Sequence, residues 1–333
     1  MPKSVNLATK YLGLSLQNPF VVGASPFCDD VYLARKLQDA GAGAVVMRSL
    51  FKEQIERSGE RLARPPLMTA EGAKAAPEFS EFADYQLTPE QYVRQVADLK
   101  KTLTIPVIAS LNGRRSGSWI DFAPQLERAG ADAIEVNFYH VVTDPNIAAD
   151  QVEADMLETV SALAGSVRIP VAVKLSPFHA SIAQLAVALE LAGASGVVVF
   201  NRFYQPDVNA EDIEVQPLLR LSEPGELLLR LRWLAILSPL LRGSLVATGG
   251  IHSSTDAVKA MLTGAHAVQL VSVLLRYGPA VLATLRQGVE TWMREHGYAE
   301  LGQFRGLLNL QRCRDPAGFE RANYIRVLQS WKV

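Results

Sequence analysis

The sequence is poor in cysteine and has no excess of either charge. Its two cysteines, Cys28 and Cys313, are too few for a disulfide scaffold or a thiolate zinc cluster. Its 33 basic and 34 acidic side chains give a formal net charge of −1, which lacks the basic excess typical of nucleic-acid-binding proteins. We therefore expect a small-molecule substrate, with no nucleic-acid partner and no metal.

Long hydrophobic runs are also missing. Residues 1–6 contain no apolar stretch of the kind that marks a secretory signal. The most hydrophobic segment, residues 227–241, contains Arg230 and Arg232, and charged side chains are rare inside membrane spans. These features predict a cytoplasmic protein that does not bind a membrane.

Glycine–alanine pairs punctuate the chain at regular intervals. Four times, a segment with helical spacing ends at such a pair and an apolar run follows; the glycines are Gly41, Gly130, Gly193 and Gly264. Glycine is favoured just past the end of a helix, and a continuous apolar run is typical of a strand buried on both faces. Four further apolar runs bring the predicted strands to eight: residues 19–25, 105–110, 169–174 and 244–251.

Amphipathic segments of helical length separate these strands. They are residues 30–40, 89–103, 119–129, 152–164, 182–192, 224–242 and 254–263. Alternating strands and helices predict a parallel sheet. Eight units, with no Gly-x-Gly-x-x-Gly after a strand, favour an α/β protein of the closed (β/α)₈ TIM-barrel type over an open doubly wound sheet.

Three segments fall outside the repeat. Residues 5–17 predict an N-terminal hairpin that closes the base of the barrel. Residues 51–88 and 201–223 are long loops after strands two and six, and the tail after Gly297 predicts an extra C-terminal helix. No linker divides the chain, so we expect residues 1–333 to form a single domain.

Polar residues at the carboxyl ends of the strands are the candidate site, because the loops of a TIM barrel open there. Residues 248–250 (Thr-Gly-Gly), followed about twenty residues later by Val271 and Ser272, predict a phosphate cradle, since glycines let backbone N–H groups approach a phosphate. The alternative is a tight turn before a helix capped by Ser253.

Lys174 ends a strand, so its ammonium is expected in the barrel mouth. It is a candidate Schiff-base lysine, a cation under an electron-rich cofactor ring, or a salt-bridged rim residue. Arg48 and Arg202 favour an anionic ligand. His140 is a candidate base near neutral pH.

Asn137 and Asn201 also end strands, and we expect them on opposite sides of the mouth. Their amides suit a planar ring that bears C=O and N–H groups.

Taken in order, these strand ends resemble those of the dihydroorotate dehydrogenase family and its dihydropyrimidine dehydrogenase relatives. The resemblance runs from Leu12-Gly13-Leu14 and Asn18-Pro19-Phe20 to about Gly297 and is nearest to the soluble class. It implies a TIM barrel that holds FMN at its mouth and oxidises a dihydropyrimidine. In that reaction a base removes the C5 proton while hydride passes from C6 to flavin N5.

The resemblance implies flavin contacts by residues that match the family at the strand ends: Ala24, Ser25, Arg48, Ser49, Asn137, Lys174, Asn201, Thr248, Gly249, Gly250, Val271 and Ser272. It also implies substrate contacts by Arg48, Asn137 and Asn201. From their places at strand ends we add Asn112 as a cofactor contact and Arg202 as a substrate contact. His140 and Lys174 are the expected catalytic residues.

The chain departs from the family pattern around the substrate. His140 stands where the family has a cysteine or serine base, and Arg48 stands where it has a lysine. Residues 51–88 contain no asparagine, so the family's Asn-x-x-Gly-x-x-Asn substrate loop is missing. We therefore expect a divergent FMN oxidoreductase that acts on a CH–CH group of a dihydropyrimidine-like substrate.

The electron acceptor stays open, as does homodimer formation. Two alternatives also stay open: a class I aldolase-type lyase with a Schiff base at Lys174, and a flavin-binding subunit without a substrate of its own.

Overall fold

The computed structural model describes residues 5–56, 87–113, 117, 119–139, 141–202, 205–216 and 219–330. Eight parallel strands form a closed barrel in the order β11-β12-β3-β4-β5-β6-β7-β8. These strands are β3 (Phe20–Val22), β4 (Ala44–Phe51), β5 (Val107–Asn112), β6 (Ala133–Asn137), β7 (Val171–Leu175), β8 (Gly196–Val199), β11 (Ser244–Thr248) and β12 (Ala267–Leu270). The predicted TIM barrel is confirmed, with all eight strands in the predicted segments.

Helices surround the barrel and most of them pack an apolar face against it, whereas the C-terminal helix leaves Ile325, Val327 and Leu328 exposed. They are α1 (Val31–Asp39), α2 (Lys52–Glu56), α3 (Pro89–Thr102), α4 (Ala123–Arg128), α5 (Ala149–Ser166), α6 (Ile182–Leu191), α7 (Leu227–Leu237), α8 (Ser254–Thr263), α9 (Ser272–Tyr277), α10 (Val281–Glu295) and α11 (Ala322–Ser330). In the described part of the chain, no helix combines the length and apolar character that a membrane span requires.

Capping side chains fix where two of these helices begin. Thr88 accepts a hydrogen bond from the backbone of Gln91, whose side chain bonds back to Thr88. Ser253 and Asp256 form the same reciprocal arrangement before α8. Each capping box satisfies donors that a helix start otherwise leaves free.

A small hairpin closes the base of the barrel, as predicted. Strands β1 (Thr9–Tyr11) and β2 (Leu14–Leu16) pair antiparallel. Tyr11, Leu12 and Leu16 are buried with small and branched residues that point inward from the barrel strands. Leu12 N–H donates to Ser244 Oγ (2.8 Å) at the first residue of β11, which fixes the hairpin at the amino ends of the strands.

Two outer segments differ from their predicted form. The segment predicted as one helix over residues 224–242 is a 3₁₀ turn over Pro224–Glu226 followed by α7. The loop after β8 contains a second hairpin, β9 (Asp207–Asn209) with β10 (Glu214–Gln216). Its strands are polar and exposed, so they lack the apolar runs that reveal buried strands. The predicted C-terminal helix is α11.

Candidate active site at the mouth of the barrel

A polar layer lies directly above the apolar floor of the barrel. Ala133, Ala172 and Ala267 belong to the inner apolar cluster. Side chains two residues further along a strand point to the same face, which places Glu135, Lys174 and Gln269 inward in the next layer. Glu135 and Gln269 are at most 1% exposed and Lys174 is 7% exposed. Lys174 is therefore a buried residue, and the alternative of a rim lysine is excluded.

The three side chains of this layer form one hydrogen-bonded network. Lys174 Nζ lies 3.5 Å from Glu135 Oε1 and 3.4 Å from Gln269 Oε1. Gln269 Nε2 donates to Glu135 Oε2. An ammonium has three donors. Among the described residues two of them are directed at the network, which leaves the third for a ligand.

Tyr11 connects this network to the hairpin at the base. Its side chain is fully buried, and its hydroxyl lies near the side chain of Gln269. Burial, reinforced by the nearby charge of Glu135, raises the pKa of Tyr11 well above its usual value, although hydrogen bonding with Gln269 acts to lower it. The phenol therefore stays neutral beneath the buried carboxylate.

Asn137 and Asn201 lie side by side rather than on opposite sides of the mouth. Asn201 Nδ2 donates to Asn137 Oδ1 at 2.6 Å, so the predicted separation is wrong. Strands β6 and β8 are both neighbours of β7, which brings the two strand ends together. Within the described residues, Asn137 Nδ2 and Asn201 Oδ1 have no protein partner, which leaves an NH₂ group and a carbonyl oxygen for a ligand.

Arg48 leaves β4 at an irregularity in the strand. The register with β5 shifts between Val46 and Ser49, so β4 has an extra residue here, as in a β-bulge, which redirects side chains. Arg48 Nη2 lies 2.6 Å from Asp29 Oδ2. Burial raises the pKa of Asp29 to about 7, although Arg48 acts in the opposite direction.

Hydroxyl groups connect β4 and β5 on this side of the mouth. Tyr92 OH lies 2.8 Å from Arg48 O and accepts a hydrogen bond from Ser110 N–H at 2.9 Å. Ser49 Oγ and Ser110 Oγ are 2.8 Å apart. Asn112 pairs with Asn137 in the sheet register and is 6% exposed. The predicted residues Arg48, Ser49 and Asn112 therefore lie together.

A compact glycine turn follows β11 at the predicted phosphate cradle. Gly249 and Gly250 have φ angles of +87° and +79°, a region that glycine adopts readily and other residues avoid. A Cβ added to Gly250 would lie 2.4 Å from Leu227 N. Only glycine therefore fits this position, where the turn packs against the start of α7.

Ser222 joins the two halves of the cradle. Its N–H donates to Ser272 Oγ at 2.9 Å, and its Oγ accepts from Gly250 N–H at 3.3 Å. Ser222 belongs to the long loop after β8. The structure thus brings together the glycine turn, Ser272 and a third segment that sequence reasoning did not select.

Two arginines share one carboxylate beside the cradle. Arg202 Nη1 lies 2.5 Å from Glu226 Oε1, and Arg230 Nη2 lies 3.7 Å from Glu226 Oε2. Burial acts to raise the pKa of Glu226, but hydrogen bonds from Arg202 and the backbone, together with both arginine charges, lower it below its usual value. Arg202 therefore lies at the mouth, as predicted, within an ion-pair cluster.

The remaining predicted positions lie at the ends of β3 and β12. Ser25 is buried and donates to Gly23 O at 2.9 Å, and Ala24 packs against the inner apolar cluster. A Cβ at Gly23 would lie 2.8 Å from Val271 Cγ2, so the two strand ends are in contact. His140 lies outside the described residues.

Sequence reasoning missed Glu135, Gln269, Ser222, Asp29 and Arg230. A signal existed for Glu135 and Gln269, because each is polar, interrupts a buried apolar run, and precedes a predicted site residue by two positions. Arg230 carried a weaker signal as a charge inside an apolar helical segment. The contacts of Asp29 and Ser222 depend on loop paths that no sequence pattern specifies.

The mouth fits FMN as the expected cofactor. A phosphate site in a TIM barrel typically follows the last two strands. Here that position has the glycine turn of Gly249 and Gly250 and the hydroxyl of Ser272. The ammonium of Lys174, held by Glu135 and Gln269 above the apolar floor, suits the electron-rich edge of a flavin ring. No cluster of three metal-binding side chains occurs among the described residues.

The cysteines add no further reactive group at this site. Cys28 and Cys313 are both free. Cys28 is 1% exposed, and burial raises the pKa of its thiol far above the usual value. A nucleophilic cysteine requires a thiolate, so Cys28 is not suited to that role.

Comparisons with known proteins agree with this geometry. The family model described as dihydroorotate dehydrogenase matches residues 6–293. A putative dihydroorotate dehydrogenase A (fumarate) of Aeropyrum pernix is 29% identical over 318 residues, covering 90% of this chain and 96% of the relative. The dihydroorotate dehydrogenase B (NAD(+)) catalytic subunit of Pyrococcus abyssi is 28% identical over 319 residues, covering 90% and 98%.

A further relative acts in a different dehydrogenase. The NAD-dependent dihydropyrimidine dehydrogenase subunit PreA of Escherichia coli K12 is 23% identical over 330 residues, covering 91% of this chain and 77% of the relative. The family match spans most of the chain and both kinds of relative are dehydrogenases, which supports a role as an oxidoreductase of pyrimidine metabolism. The chain belongs to the dihydroorotate dehydrogenase family.

Proposed function

We propose that the protein is an FMN-dependent oxidoreductase that oxidises the CH–CH group of a dihydropyrimidine-like ring. The observation that carries this proposal is the position of Lys174, buried at the barrel mouth and held by Glu135 and Gln269. A buried ammonium is costly unless it is paired and hydrogen-bonded. This lysine meets those conditions while keeping a donor available for a ligand.

The cradle and the lysine have separate tasks in binding the cofactor. Gly249, Gly250 and Ser272 would hold the phosphate through backbone and hydroxyl groups. Lys174 would direct its remaining N–H at the ring edge where negative charge develops on reduction, so its binding energy would be greatest in the reduced state. When bound, FMN supplies a two-electron acceptor at its N5 atom.

The amide pair gives the substrate proposal its chemistry. Asn137 Nδ2 and Asn201 Oδ1 offer a donor beside an acceptor, which complements the neighbouring C=O and N–H groups of a pyrimidine ring. Arg48 and Arg202 add positive charge at the mouth for an anionic substituent. The ring itself, rather than dihydroorotate in particular, is the substrate class that these groups support.

His140 is the proposed base. It would take the proton from one ring carbon while hydride leaves the adjacent carbon, so the C–C single bond becomes a double bond and two electrons pass to the flavin. A histidine with an ordinary pKa of about 6.5 accepts a proton at neutral pH.

An anaerobic absorbance titration tests the function and the base together. Purified protein should be yellow, release FMN on denaturation, and bleach when a dihydropyrimidine is added. His140→Ala should retain its FMN and lose substrate-driven bleaching by about 100-fold or more, the usual contribution of general base catalysis. His296→Ala is the matched control, because His296 is exposed at the end of α10 and stacks on Trp292.

The outcomes of this titration are distinct. Protein without flavin that takes none up would contradict the proposed function. Normal bleaching by His140→Ala would contradict only the assignment of the base. Dihydroorotate, dihydrouracil and dihydrothymine, compared as donors, would identify the ring substituents that the mouth accepts.

The network argues against the aldolase alternative. A Schiff-base lysine acts as a neutral amine, whereas an ion pair with a buried carboxylate is typical of a charged lysine. Borohydride trapping on Lys174 with a carbonyl substrate would favour the lyase. The names of the relatives include fumarate and NAD(+), so both, and a quinone, are the acceptors to compare; failure of all three would favour a subunit that needs a partner.

A further inference from the structure

Arg230 is a charged residue on the buried face of an apolar helix. In α7, Leu227, Arg230, Leu234 and Leu237 are buried, a spacing that places them on one face. Arg230 is 5% exposed. A buried charge needs compensation from partners, so its contacts indicate why an arginine stands where the pattern favours an apolar residue.

The guanidinium of Arg230 packs against the glycine turn of the cradle. Its Nε donates to Thr248 O at 3.0 Å, and its Nη1 donates to Glu226 O at 2.9 Å. A Cβ at Gly249 would lie 3.0 Å from Nη2. The charge therefore lies directly behind the turn, and its hydrogen bond fixes the carbonyl that precedes the turn.

The cluster of Arg202, Glu226 and Arg230 carries a surplus of positive charge. Glu226 contacts both guanidinium groups, so one carboxylate balances two cations. Beyond this cluster, burial and the charge of Arg276 lower the pKa of His252, whereas the charges of Asp256 and Glu226 act to raise it. Arg230 is the shielded member of the cluster, since Arg202 and Glu226 are about one-third exposed. A charge shielded from water interacts more strongly with a nearby anion than an exposed one.

We propose that Arg230 is a positioning residue that gives the cradle its preference for a phosphate monoester. This inference rests on the proposed FMN function and extends it to a residue outside the strand ends. Arg230 holds the turn through Thr248 O and supplies the charge that a phosphate dianion neutralises. The phosphate-free form of the cofactor, riboflavin, would gain nothing from that charge.

The experiment compares FMN with riboflavin on flavin-free full-length protein, by fluorescence quenching. Wild type should bind FMN more tightly. Arg230→Met should reduce the ratio of FMN to riboflavin affinity by about tenfold, the loss expected for one charged hydrogen-bonding group, with riboflavin affinity changed less than about threefold. Arg232→Met, on the exposed face of the same helix, is the matched control and should leave the ratio unchanged.

Two further variants keep the inference testable if Arg230→Met does not fold. Arg230→Lys should retain part of the preference, because the charge remains and the planar contact to Thr248 is lost. Glu226→Gln should raise the ratio, because it removes the only negative charge that contacts both arginines among the described residues.

Each result has one meaning. An unchanged ratio in Arg230→Met, or equal losses of FMN and riboflavin affinity, would overturn the role of Arg230 and leave the proposed function in place. Wild-type protein that binds neither flavin would overturn the proposed function itself.

Discussion

The two sides of the barrel mouth are built in different ways. On the side of β11 and β12, a backbone turn at Gly249 and Gly250 packs against the start of α7, and the charges behind it are arginines. On the side of β4 and β5, side chains provide the structure, with Tyr92 bonded to two strands and Asp29 paired with Arg48. The first side is suited to a ligand group of fixed shape. The shape and charge of the second side would change if a single side chain were substituted.

This difference indicates which side of the mouth tolerates amino-acid substitutions. A substitution at the turn meets main-chain atoms, because a Cβ added to Gly250 would lie 2.4 Å from Leu227 N. The arginine–carboxylate pair at the other side depends on side chains and on a group that titrates near neutral pH. We expect this side to bind the substrate, and two of the expected departures from the family pattern, Arg48 and the loop after β4, lie on it.

The largest effect is expected from a substitution in the glycine turn on the side of β11 and β12. Gly250→Ala places a Cβ 2.4 Å from Leu227 N in a left-handed conformation, at a cost of about 2–5 kcal/mol from conformation and overpacking together. The variant should retain little FMN and melt at a lower temperature, as measured by flavin content and calorimetry. Gly297→Ala is the control, because Gly297 has φ +76° and nothing within 4 Å of the added Cβ.

Gly297→Ala should lose only the conformational part, about 1–2 kcal/mol, and keep its full flavin content. Equal flavin loss in the two variants would show that the turn does not depend on close packing against α7.

A smaller loss of stability is expected when one hydroxyl is removed from either side of the mouth. Tyr92→Phe removes a fully buried OH that accepts from Ser110 N–H and should cost about 1–3 kcal/mol, because a buried donor loses its partner. Ser222→Ala removes the longer bond of 3.3 Å from Gly250 N–H and should cost about 0.5–1.5 kcal/mol. Urea unfolding measures both, and the reverse order would contradict the contrast between the two sides.

The smallest expected effect is a pH dependence of stability on the side of β4 and β5. Burial raises the pKa of Asp29 to about 7, against about 3.9 in an unfolded chain. Between these values the native state binds the extra proton, so the contribution of Asp29 to the free energy of unfolding is present below about pH 4 and is lost as the pH rises to about 7.

The difference between wild type and Asp29→Asn isolates this term. Relative to the variant, wild type should lose stability between about pH 4 and pH 7 and change little above that, as measured by the urea midpoint. Asp39→Asn removes an exposed carboxylate that pairs with Arg35 and controls for the loss of a surface ion pair, which is worth about 0–1 kcal/mol. A flat difference curve for Asp29→Asn would contradict the raised pKa.

Much of the fold was predictable because its signals are local. Buried parallel strands appear as continuous apolar runs, and glycine–alanine pairs mark the helix ends before four of them. The barrel geometry then places Lys174, Gly249, Gly250 and Ser272 at one end. The hairpin of β9 and β10 was missed because exposed polar strands leave no such run.

The site was predictable by position but not by contact. The sequence identifies the strand that Asn137 and Asn201 each end, yet their 2.6 Å hydrogen bond depends on how two strands on either side of β7 lean together. Glu135 was missed because it lies inside strand β6, whereas only residues at the strand ends were considered as candidates. Roles for these residues in binding and catalysis stay predictions until the variants are measured.

The hairpin at the base has a kinetic consequence. Tyr11, Leu12 and Leu16 fill the amino-terminal end of the barrel. Small molecules would therefore reach Lys174 only through the opening at the carboxyl ends of the strands. The electron donor and the electron acceptor would then bind through the same opening one after the other, and each could bind only after the previous product had dissociated. If the protein binds a flavin as proposed, such an enzyme would turn over by a substituted (ping-pong) mechanism, and the flavin would hold the two electrons between the two half-reactions.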